Sequence, residues 1–103
     1  MPVRSTCARR EALDEGLALV LFEADWCGIC TTLRAVLERV AAQDHGPMSI
    51  HHVDRERQPA TARRFGVDQV PTLIVLVEGR VAAQIVGVFS SEEIVGLLDE
   101  VRS

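Results

Sequence analysis

Hydrophobic positions are strongly ordered along this chain. Leu17-Ala18-Leu19-Val20-Leu21-Phe22 is an unbroken apolar run, the pattern of a strand covered on both faces in a parallel sheet. Leu33, Val36, Leu37, Val40 and Ala41 then recur at helical spacing, and the turn residues from Asp44 to Pro47 predict where that helix ends. Met48 to Val53 predicts another strand, followed by a short helix from Ala60 to Phe65 that stops at Gly66. Strand, helix and strand in this order predict a parallel unit. Val70 to Val77 and Arg80 to Val86, separated by Glu78-Gly79, predict an antiparallel hairpin. Ser90-Ser91-Glu92-Glu93 is a capping box, and Ile94, Leu97, Leu98 and Val101 give the closing helix one apolar stripe. Upstream, Thr6 to Gly16 reads as a polar helix with Thr6 as N-cap and Gly16 as stop, which places Cys7 on it. Any strand before that helix is expected to be very short.

A chain of 103 residues holds one hydrophobic core, so residues 1–103 are expected to form a single domain. The content of 48% hydrophobic and 25% charged residues is that of an ordinary globular protein. A formal charge of −4 argues against nucleic acid or an anionic membrane surface as partner, because both require a basic face. All eleven cations are arginine, so no lysine is present to act as a tunable acid or base. Met1 to Gly16 is charged and lacks the apolar run of a secretory signal, and no stretch approaches the roughly 20 apolar residues of a membrane span. A cytoplasmic monomer is expected.

Of the three cysteines, two stand in Cys27-Gly28-Ile29-Cys30, the arrangement of redox chemistry or metal binding in a reducing compartment. Continuing the apolar stripe backward by one turn reaches Cys30, which therefore faces the core, while Cys27 stands at the helix entrance. Thiol-disulfide exchange needs an accessible thiolate to attack and a second thiol to resolve the mixed disulfide. The helix N-terminus favours the thiolate of Cys27, and Cys30 is near enough to bridge to it. The competing zinc reading needs two further donors. His51 and His52 are the obvious candidates, but neighbouring strand residues point to opposite faces, so at most one of them joins. No metal or organic cofactor is expected.

Ala24-Asp25-Trp26-Cys27-Gly28-Ile29-Cys30, between a buried strand and an amphipathic helix, resembles the active-site segment of the thioredoxin family. Phe65 to Leu73, with Val70-Pro71, resembles that family's cis-proline segment, and Glu78 to Val81 with Val86-Gly87 resembles its final hairpin and following glycine. The resemblance implies an α/β thioredoxin fold, with a central mixed sheet of four or five strands flanked by helices on both faces. It implies a cis Val70-Pro71 bond beside the dithiol, an apolar docking groove of Trp26, Gly28, Ile29, Val70, Pro71 and Gly87, protein disulfides as substrates, and a thioredoxin reductase as electron donor. Three departures stand out. Ile29 replaces the family's usual proline, Leu21 replaces its buried aspartate, and Ile50 replaces the lysine that often partners that aspartate. Glu23, on the same strand face as Leu21 and nearer the dithiol, is a candidate proton relay for Cys30. Other readings are a specialised relative serving one client, by oxidation or isomerisation, and a non-catalytic interaction module using the groove.

Overall fold

The computed structural model describes residues 5–7, 16–43 and 48–102. Eight elements follow in chain order: β1 (Ser5–Cys7), β2 (Leu17–Glu23), α1 (Gly28–Gln43), β3 (Ser49–Asp54), α2 (Pro59–Arg64), β4 (Thr72–Val77), β5 (Arg80–Val86) and α3 (Ser91–Arg102). The strands form one five-stranded sheet in the order β1-β3-β2-β4-β5. β1 and β2 both pair parallel to β3, whereas β4 runs antiparallel to β2 and to β5. The sheet is therefore mixed, with the apolar run of β2 at its centre.

Alternation along the strands separates two cores. Leu19 and Leu21 of β2, Ile50 of β3, and Leu73 and Val75 of β4 pack against Leu33, Leu37 and Val40 of α1 and Ile94 and Leu98 of α3. On the opposite face Ala18, Val20, Phe22, Val53, Ile74 and Leu76 pack with Ala62 of α2. A strand covered on both sides has no polar face, which is why β2 and β4 read as continuous apolar runs.

Local signals place most boundaries. Ser90 Oγ accepts from Glu93 N at 3.2 Å and Glu93 Oε1 accepts from Ser90 N at 2.9 Å, the reciprocal capping box expected from the sequence. Glu78 and Gly79 both have positive φ, 51° and 80°, as the two central residues of a tight hairpin turn with right-handed twist require. Asp54 Oδ1 accepts from the backbone N–H groups of Glu56 and Arg57 at 2.8 and 3.1 Å, turning the chain toward Pro59, which starts α2.

The N-terminus corrects one expectation. Thr6 is not a helix N-cap and Cys7 is not helical: both lie in β1, with Thr6 opposite His51 and Cys7 opposite His52. The open edge of β3 supplies ladder hydrogen bonds, which outweigh a weak local preference for a cap. The remainder of the expected helix up to Glu15, and the turn from Asp44 to Pro47, lie outside the described residues. Gly16 has a φ of 64°, a left-handed conformation that glycine adopts readily.

Candidate active site

The two parallel strands β2 and β3 end on the same side of the sheet, and the loops that follow them meet there. Arg55 N donates to Glu23 O at 2.8 Å, and Arg57 reaches Asp25 at 3.2 Å. Such a position, beyond the carboxyl ends of parallel strands, is where α/β sheets hold their ligands.

The dithiol is built by a turn and a helix start. Cys27 N donates to Ala24 O at 3.0 Å, closing the turn after β2, and Cys30 N donates to Cys27 O at 3.2 Å as α1 begins at Gly28. This first turn brings the two Cα atoms to 5.5 Å, and the thiols are joined as a disulfide. Cys27 Sγ lies at the N-terminal end of a helix of 16 residues, where unpaired N–H groups and the macrodipole favour negative charge. Cys30 is 1% exposed and Cys27 8%. Cys27 is thus more covered than its place at the helix entrance suggested, because Ala24 and Val70 pack against the pair.

Val70 comes from a distant loop, and the Val70-Pro71 peptide bond is cis. Pro71 O accepts from Gly87 N at 2.8 Å, and Thr72 Oγ1 donates to Gln69 O at 2.7 Å. The first bond fastens the proline loop to the end of β5, where Gly87 has a φ of 98° that only glycine adopts readily, and the second closes the loop on itself. Trp26 and Ile29 are 67% and 41% exposed, so neither is a core residue. The indole Nε1 of Trp26 donates to Glu56 Oε2 at 3.1 Å, which holds the exposed ring in one orientation. Exposed Val86 and Val88 flank Gly87.

Glu23 is buried, on the same face as Leu21 as strand alternation required. Its Oε1 accepts from Arg34 Nη2 at 2.6 Å, and its Oε2 stands 3.3 Å from His52 Nδ1. Burial holds the His52 imidazole below its ordinary range, while the nearby Glu23 carboxylate opposes that shift. Leu21 and Ile50 are fully buried in one apolar cluster, but the residue opposite Leu21 in the β2–β3 register is His52; Ile50 stands opposite Leu19 and so is not the cross-strand partner of Leu21 that the sequence suggested. No direct sign of the roles of Arg34, Glu56 and Val88 is present in the sequence. Only the i, i+4 spacing of Cys30 and Arg34 hinted that one of them neighbours the dithiol.

The thioredoxin family model matches residues 7–100 of the chain. The chain belongs to the thioredoxin family. Thioredoxins of Staphylococcus aureus strains Mu50 and MW2 are each 36% identical to it over 88 residues, covering 85% of this chain and 85% of theirs. A mutant thioredoxin from Halobacterium salinarum NRC-1 has the same fold, with a TM-score of 0.82 at 24% identity over 95% of this chain and 88% of that one. As a thioredoxin-family protein with a paired Cys27 and Cys30 at the active-site position, the chain is a thiol-disulfide oxidoreductase. Among its described residues no helix is long and apolar enough to cross a membrane.

Proposed function

We propose that the protein reduces disulfides of other proteins, with Cys27 as the attacking thiolate and Cys30 as the resolving thiol. The observation that carries this reading is the Cys27–Cys30 disulfide at the start of α1 with Val70 packed against it. Cys27 attacks one substrate sulfur and breaks the substrate disulfide, the first leaving thiolate taking up a proton. Cys30, as thiolate, then attacks Cys27 Sγ, forming the internal disulfide and releasing the second substrate sulfur. Trp26, Gly28, Ile29, Val70, Pro71 and Gly87 form the docking groove, in which the backbone of Val70 pairs with an extended substrate segment. Glu23 serves as proton carrier to Cys30; its burial and its place beside Ala24, which shares a buried cluster with the two cysteines, support this role. The protein works as a cytoplasmic monomer, re-reduced by a thioredoxin reductase, and needs no metal or organic cofactor.

The test is reduction of insulin disulfides, with dithiothreitol or a thioredoxin reductase as electron source. Turnover is expected from the native chain and loss of at least about a thousandfold from Cys27→Ser, since the attacking nucleophile is gone. Cys30→Ser is expected to accumulate a mixed disulfide at Cys27. A folded native protein without turnover would overturn general reduction. It would favour a dedicated client, a reading that exposed Ile29 between the cysteines supports, because that side chain changes the groove at the site of attack.

A further inference from the structure

Glu23, Arg34 and His52 come from β2, α1 and β3, yet they form one compact cluster. Arg34 binds one carboxylate oxygen of Glu23 and His52 lies against the other, at 2.6 and 3.3 Å. The Glu23 side chain is only 10% exposed and that of His52 20%. Burying a charged carboxylate in a face otherwise made of leucines is costly, and an exposed ion pair at the strand end would join the same elements without that cost. The cluster also has a defined relation to the dithiol. Arg34 lies one turn beyond Cys30 on the same side of α1, and Glu23 adjoins Ala24, which shares a buried cluster with the two cysteines.

We propose that Arg34 and His52 are positioning residues of the disulfide exchange. Arg34 fixes the Glu23 carboxylate for Cys30, and His52, acting through that carboxylate, receives the proton Cys30 gives up. This inference rests on the reductase reading and on Glu23 as the carrier. In the resolving step the Cys30 proton passes by way of Glu23 to the imidazole. The Cys30 thiolate attacks Cys27 Sγ, the Cys27–substrate sulfur bond breaks, and its electron pair leaves on the substrate sulfur. That thiolate takes up the proton given back by His52, so the cluster ends the cycle unchanged. Among the groups that face His52 are Glu23 from β2 and Arg34 and Glu38 from α1, with Leu21 of β2 and Cys7 of β1 opposite it in the strand register. Burial outweighs the carboxylates among them and keeps the imidazole neutral near pH 7, the form able to accept a proton.

Reaction of the reduced chain, carrying Cys7→Ser throughout so that only the dithiol reacts, with the aromatic disulfide of thionitrobenzoate tests this by stopped flow. A first release of thionitrobenzoate reports attack by Cys27, and a second reports attack by Cys30 on the mixed disulfide. His52→Asn and Arg34→Gln are each expected to slow the second release roughly tenfold, less than for a base touching the reacting atom, and to leave the first unchanged. The native chain is expected to lose second-phase rate on acidification below the ordinary histidine range, since burial depresses the imidazole, and His52→Asn is expected to remove that fall. Arg34→Lys, which keeps the charge, is expected to recover most of the rate. Circular dichroism establishes that each variant is folded, with His52→Gln replacing His52→Asn if the latter is not. Slowing in Glu23→Gln but in neither partner variant would overturn this inference and leave Glu23 as carrier. Native second-phase behaviour in all three would overturn both, and retained insulin turnover in Cys27→Ser would overturn the reductase reading itself.

Discussion

A thiol one turn inside a helix and a thiol at its mouth have different chemistry even when a bond joins them. Cys27 has the helix dipole and the neighbouring free N–H groups to stabilise its thiolate, whereas Cys30, almost without exposure, lies in an apolar cluster with Ala24 and Val70. His52 is a titrating residue with a measurable consequence for stability. Its folded-state affinity for a proton is depressed, chiefly by burial, so the unfolded chain binds a proton that the folded chain does not as the pH falls below 6.5. This contribution is complete above that value and is lost as the pH descends toward the depressed folded value. Urea unfolding of the oxidised protein across this window is expected to show declining stability on acidification, with a flatter profile in His52→Asn. An unchanged profile in the variant would show that another group governs the decline.

Elements are joined here by short, local devices that the sequence displays. The Ser90–Glu93 box starts α3, the paired positive φ values at Glu78 and Gly79 close the β4–β5 hairpin, and Pro59 opens α2. Each is legible because donor, acceptor and backbone geometry all lie within a few residues. Ser90→Ala removes the acceptor for the Glu93 N–H and is expected to cost about 1 kcal/mol; a thermal melt that does not move would show the cap to be redundant. β1 obeyed a different rule. Thr6 carries a cap signal that would put Cys7 on a helix, but the edge of β3 lies within reach and the parallel ladder prevails. A strand of three residues has too little pattern of its own to announce itself.

Across the whole molecule, the apolar layer between the sheet and α1 carries the departure that most separates this chain from the pattern it resembles. Leu21 and Ile50 both lie in that layer without exposure. Leu21→Asp, which buries a carboxylate in that layer opposite an imidazole that is neutral at neutral pH, is expected to destabilise the fold by about 3–5 kcal/mol there. Acidification protonates the carboxyl and is expected to recover part of the loss; chemical denaturation at neutral and acidic pH reads both. The amino-acid sequence by itself determined the two-sided burial of β2, the opposed faces of α1, the hairpin, the α3 cap and the adjacency of Cys27 and Cys30, because periodicity and turn chemistry act over short stretches of chain. Tertiary structure alone decided that Val70 packs on the dithiol, that Cys7 stands on a strand opposite His52, and that Glu23 meets Arg34 and His52. Those contacts depend on strand order and register, which are set by how the two faces of the sheet pack as a whole.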